Sequence, residues 1–208
     1  MKLYLIGGLG ADERVFSFIN FGFKTQNIQW IKPEPKEELN DYAKRLCTQI
    51  KDGEEIGFLG VSFGGIVAIE MAKIISPKIL ILISSVETHK QLPKLLVLFA
   101  KTGVLKWIPS TLVKPPAFVM NYMFSAENKT LLKNIVNDTD PAFIRWALIK
   151  MGSWKNTDLP LETLRIHGTN DRLIPLKGEA LSIAKGGHFM IVDRAEEVSE
   201  IIKGKLVT

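Results

Sequence analysis

The 208-residue sequence predicts an α/β protein built on a parallel sheet covered by helices. Three observations carry this. Short apolar runs alternate along the chain with segments whose apolar residues recur every three or four positions. One run, Lys78 to Ile83, is almost uninterruptedly apolar, as a strand buried on both faces must be. Gly60-Val61-Ser62-Phe63-Gly64 joins another such run to a helical segment through a turn of small residues, where strand and helix can approach closely.

Each element follows in order. Leu3 to Ile6 reads as a short buried strand opening into the glycine-rich loop Gly7-Gly8-Leu9-Gly10. Asp12 offers an N-cap for a short helix through Val15 and Phe16, and Asn27 to Ile31 reads as a second strand closed by Pro33 and Pro35. Leu39, Tyr42, Ala43, Leu46 and Ile50 give a helix with one apolar face. Glu55 to Leu59 is the strand leading into Ser62, and Ile66 to Ile75 continues as helix until Ser76-Pro77 breaks it. After Ile83 the alternation stops. Residues 86–154 are too long for a loop and helical in pattern, so they predict a lid inserted into a core made of 1–85 and 155–208. Lys90, Lys94 and Lys101 fall on one side of a helical wheel there, with Leu92, Leu95, Leu96 and Phe99 opposite. Pro109, Pro115 and Pro116 separate a second part rich in Phe118, Met120, Tyr122, Met123, Phe124, Phe143 and Trp146. These side chains are expected to bury the lid against the body, some of them lining an apolar substrate pocket. Leu164 to Gly168 and Ala180 to Ile183 supply two further strands, and Asp193-Arg194-Ala195-Glu196 is a capping-box-like start for a final helix with Val198, Ile201 and Ile202 inward.

Composition narrows the class. The net charge of +5 is concentrated: Val86 to Lys150 carries nine basic residues against four acidic, and the rest is balanced at 18 each. This makes a lysine-studded solvated surface, or, more sharply, one that attracts an anionic substrate or a membrane surface. No basic run or motif points to nucleic acid. The single cysteine, Cys47, cannot form an internal disulfide and reads as a core residue in a reducing compartment. The N-terminal apolar run meets Gly7-Gly8 too soon for a signal peptide, and no run reaches the ~20 residues of a membrane span. A cytoplasmic protein acting on a small molecule, with neither cofactor nor metal, is the expectation.

Ser62 sits where its hydroxyl is exposed and where the Phe63 amide, at a helix N-terminus, can face a developing negative charge. A serine is a poor nucleophile until a base removes its proton. His89 opens the basic segment and is expected to face solvent; His167 ends a strand and suits a structural role; His188 follows Gly186-Gly187, a flexible approach that could bring its ring to Ser62. Asp171, beyond the strand ending at Gly168, is either a turn aspartate or the group that orients the histidine. Ser62, Asp171 and His188 each follow a strand, which places them at the carboxyl edge of a parallel sheet, where ligands bind in open α/β folds.

Over nearly its whole length the chain resembles the α/β-hydrolase superfamily, through the elbow Gly60 to Gly64, the His-Gly-x-x-Asp-Arg-x-x-Pro pattern at His167 to Pro175, and Gly187-His188. The resemblance implies a three-layer α/β/α fold of six parallel strands, with the family's first two strands missing and the lid following the strand that ends at Ile83. It also implies Ser62 as nucleophile, His188 as general base and acid, Asp171 as its orienter, and the Phe63 and Leu9 amides as oxyanion hole. Phe124, Met123 and Trp146 are the expected substrate contacts. Two departures stand out. Gly7-Gly8 replaces the usual His-Gly and removes a side chain that braces that loop. The interval from Asp171 to His188 is about ten residues short of what the family leads one to expect, when a parallel crossover takes a dozen or more, so the helix there is expected to shrink to a turn or vanish. Glu87, after the preceding strand, is the alternative acid. The expected activity is hydrolysis of a small to medium, mainly apolar ester or thioester. The alternatives are carbon–carbon or C–O lyase chemistry on a carboxylated substrate with the same triad, or ligand binding without turnover.

Overall fold

The computed structural model describes residues 1–9, 12–51, 55–109, 113–159 and 163–206. Gly10, the last glycine of the first loop, lies outside them. Strands β1 (Lys2–Ile6), β2 (Lys24–Asn27), β3 (Ile56–Val61), β4 (Ile79–Ile83), β5 (Thr163–Gly168) and β6 (Leu181–Ile183) form one sheet in the order β2-β1-β3-β4-β5-β6. Each of its pairings is parallel. The helices are α1 (Leu39–Cys47), α2 (Phe63–Ile74), α3 (Lys94–Thr102), α4 (Val104–Trp107), α5 (Ala117–Phe124), α6 (Lys129–Asp138), α7 (Pro141–Ser153), α8 (Met190–Asp193) and α9 (Ala195–Leu206). Helices α3 to α7 all fall between β4 and β5.

Strand alternation builds the three layers. Tyr4, Ile6, Phe58, Leu80 and Leu82 point to one face, where Tyr42 and Leu46 of α1, Ile66 and Ile69 of α2, and Phe143 and Ala147 of α7 complete one core cluster. Leu3, Leu5, Leu59, Val61, Ile81 and Ile83 point to the other, against Val198 and Ile202 of α9 and Leu132 and Ile135 of α6. The central strands are apolar at successive positions because both faces are covered.

The structure corrects several expectations. The second strand is Lys24–Asn27, not Asn27 to Ile31. It is an edge strand, polar and partly exposed, so it needs no apolar run; the apolar residues that follow leave the sheet, and Trp30 stacks on Phe63 at 5.8 Å and on Tyr42 at 6.2 Å. Asp193 does not cap the last helix. Its carboxylate accepts the backbone N–H groups of Glu127 (2.8 Å) and Asn128 (3.0 Å), which fastens the start of α6 to the end of α8. Phe118 and Tyr122 of α5, expected to bury the lid against the body, are exposed, and so are Leu95 and Phe99 of α3, on the side of the wheel opposite the lysines. The short interval from Asp171 to His188 has the expected consequence: between β5 and β6 there is no helix, residues 169–180 cross over through turns, and β6 is three residues long.

Candidate active site

Ser62 lies between β3 and α2 with φ 53° and ψ −121°, a positive φ that costs a non-glycine residue about 1–3 kcal/mol. Neighbouring strand ends hold it there. The Ser62 N–H donates to the Ile83 carbonyl at 2.9 Å, and the Ser62 carbonyl accepts from Ser85 Oγ at 2.7 Å and from the Gly65 N–H at 3.0 Å. Ser85 carried no signal in the sequence, because its contribution depends on β4 ending beside β3. Gly64 has no room for a side chain: a Cβ there would run into the Gly7 and Ile6 carbonyl oxygens. The loop leaving β1 therefore rests on the first turn of α2, with Leu9 two residues beyond the contact, half-buried against the core. The Phe63 N–H is the first of α2 and has no acceptor within the helix.

The other two groups arrive from the far side of the sheet. Gly168 ends β5 in contact with the Gly186 carbonyl, where a Cβ would collide, and the Asn170 N–H donates to that carbonyl at 2.9 Å. This close approach ties the Asp171 turn to the loop that carries His188. His188 Nε2 is 2.8 Å from Ser62 Oγ, and His188 Nδ1 is 2.7 Å from Asp171 Oδ2. All three residues are buried. Asp171 Oδ1 accepts the N–H groups of Leu173 (3.0 Å) and Ile174 (2.8 Å). Burial alone would raise the Asp171 carboxyl, but the charge of His188, hydrogen bonds from His167 and His188, and the Ile174 N–H outweigh it and hold the group well below the usual carboxylate range.

The remaining candidates scatter. His167 is fully buried, with Nε2 2.8 Å from the Ile174 carbonyl and 3.2 Å from Asp171 Oδ2, so a residue the sequence marks as structural touches the acid. His89 does not face solvent freely; it is half-buried and its Nδ1 meets the Asn156 carbonyl at 2.8 Å. Glu87 is taken up by Gln91 Nε2 (3.1 Å) and lies 3.7 Å from Arg165 Nη1, while His188 Nδ1 faces Asp171. Phe124 packs edge-on against the His188 ring at 5.2 Å, and Met123 beside it is half-buried. Trp146 stands in an aromatic cluster with Tyr42 (4.5 Å), Phe143 (5.8 Å) and Phe63 (6.1 Å), and its Nε1–H donates to the Glu37 carbonyl. It also lines an open cleft of about 1080 Å³ whose walls include none of Ser62, Asp171 and His188.

Solved structures resemble this one along nearly its full length. A lipase-esterase related protein from Clostridium acetobutylicum superposes with a TM-score of 0.69 at 17% identity, covering 98% of this chain and 93% of that one. The chain has the α/β-hydrolase fold. Other members of that fold with similar agreement are MenH from S. aureus (TM-score 0.70, 18% identity, 98% and 92% covered) and bromoperoxidase from Bacillus anthracis (0.69, 17%, 100% and 92%). No protein-family model and no curated protein sequence matches the chain. The resemblance is thus one of overall fold, at 17–18% sequence identity.

Proposed function

We propose that this α/β-hydrolase-fold protein is a serine hydrolase that cleaves a small to medium, mainly apolar ester or thioester through an acyl-enzyme. The observation that carries this reading is the unbroken chain of contacts from Ser62 Oγ to His188 Nε2 (2.8 Å) and from His188 Nδ1 to Asp171 Oδ2 (2.7 Å) on a strained elbow. Ser62 Oγ attacks the carbonyl carbon while its proton passes to His188 Nε2. Asp171, held ionised, orients the ring and stabilises the imidazolium. The oxyanion is received by the N–H groups of Phe63 and Leu9, a donor of this kind being worth about 3 kcal/mol of barrier. His188 then gives its proton to the leaving oxygen or sulfur, and afterwards activates the water that releases the acid. Residues 86–154 serve as the lid of a core formed by 1–85 and 155–208. Phe124 of α5 against His188, and Phe143 and Trp146 of α7 against Phe63, support that role. Phe124 and Met123 supply the apolar wall for the acyl chain. Two of the similar solved structures, the lipase-esterase related protein and a thermophilic esterase, bear names that accord with ester chemistry.

The test is turnover of a panel of aryl esters and acyl thioesters of increasing chain length. The wild type is expected to show saturable hydrolysis, and Ser62→Ala and His188→Ala to lose about 10⁴-fold or more in kcat. Unchanged turnover in either variant would sink the assignment.

A further inference from the structure

Between Glu87 and Glu127 the sequence holds five lysines, Lys90, Lys94, Lys101, Lys106 and Lys114, with no arginine and no acidic residue. The chain has 27 basic and 22 acidic residues, so without these five it is balanced at 22 each. The whole net charge of the molecule therefore resides in this stretch. The same stretch holds seven of the ten large hydrophobic side chains that are exposed among the described residues. On α3, Leu95 (63% exposed), Leu98 (56%) and Phe99 form an outward stripe at spacings of three and four, while Leu96 and Val97 turn toward the core. Helix α4 packs against α3 and adds Val104 and Trp107, the latter 87% exposed. Lys94 and Lys101 lie exposed at either end of the stripe, and neither they nor Lys90 forms an ion pair among the described residues.

An apolar face of this extent implies a partner. Its surroundings say which. A second copy seated on this face would set Lys94 and Lys101 against their own counterparts with no acidic residue of 88–126 to offset them, and like charges facing each other across an interface suppress pairing. An anionic surface with an apolar interior accepts both features at once. We propose that the α3–α4 face docks the protein on an anionic phospholipid bilayer. Leu95, Leu98, Phe99 and Trp107 enter the boundary between headgroups and acyl chains, where tryptophan is favoured, and the lysines meet lipid phosphates. No helix among the described residues is long and apolar enough to cross a membrane, and the contact is with the surface. Docking needs none of the chemistry proposed for Ser62.

The test is co-sedimentation of the full chain with phosphatidylcholine vesicles, with and without phosphatidylglycerol, at low and high salt, alongside tryptophan emission. Binding is expected only to the anionic vesicles, weakening as salt rises, with a blue shift that disappears in Trp107→Ser. Lys94→Gln with Lys101→Gln is expected to lower the partition coefficient about 25-fold, or about five-fold per lysine, and Leu98→Ser with Trp107→Ser to remove binding. Circular dichroism and thermal transitions unchanged from wild type identify variants that remain folded. Light scattering is expected to give a monomer without vesicles. No binding, equal binding to neutral vesicles, or binding unchanged in folded variants would overturn the proposal. So would a dimer that Leu98→Ser with Trp107→Ser dissociates, since the occupant of the face would then be a second copy.

Discussion

A carboxylate can accept about four hydrogen bonds, and at Asp171 the described contacts supply all four. Oδ1 takes the Leu173 and Ile174 N–H groups, while Oδ2 faces His188 Nδ1 and His167 Nε2. The Ile174 carbonyl at 2.8 Å from His167 Nε2 can only accept, which places a proton on that nitrogen and makes His167 a donor to both partners. His167 thus acts as a positioning residue that closes the 171–174 turn and shares the charge of Asp171. His167→Leu removes one of the donors that hold the Asp171 carboxyl low. The stability that the wild type loses as pH falls below the usual carboxylate range is therefore expected to shrink in a pH profile of urea unfolding, with kcat for a soluble ester down about ten-fold. His167→Gln retains a donor and should restore most of both. An unmoved pH profile in folded His167→Leu would reduce the residue to packing. The sequence places His167 beside Gly168 at a strand end and so suggests structure alone. Its contact with Asp171 exists only because the intervening turn folds back, which no spacing of residue types reveals.

At the scale of elements, the elbow is held from two sides. The end of β4 supplies the Ile83 carbonyl and the Ser85 hydroxyl to the Ser62 backbone, and the Phe63 side chain anchors the start of α2 among Trp30, Phe143 and Trp146. Phe143 is buried at the centre of that cluster, in contact with Trp30, Tyr42, Phe63 and Trp146. Phe143→Ala is expected to cost about 3 kcal/mol in urea unfolding, and to lower kcat more than KM changes because the Phe63 amide loses its support. A loss below about 0.5 kcal/mol would show that the cluster does not anchor α2. Elements of this kind were legible where burial dictates composition. β3, β4 and α2 are covered on both sides and read as apolar runs, whereas β2 lies at the sheet edge with polar residues and gives no such signal. The lost crossover helix after β5 was legible for a different reason, since the interval from Asp171 to His188 is too short to contain it.

For the molecule as a whole, the fold brings together groups that are 126 residues apart in sequence, Ser62 and His188, at one edge of the sheet. Their order after successive strands was readable, because parallel strands all end at that edge. The outward faces of α3 and α5 were not, since an apolar stripe reads the same whether it packs on the body or faces away from it. Turnover by the proposed route requires Ser62 to be an activated nucleophile. The most direct measurement is labelling with a fluorophosphonate probe, locating the modified peptide by mass spectrometry in wild type and in His188→Ala. Modification at Ser62 that is lost in His188→Ala is expected; a wild type that stays unlabelled, or labelling of Ser62 that persists without His188, would overturn the role proposed for Ser62.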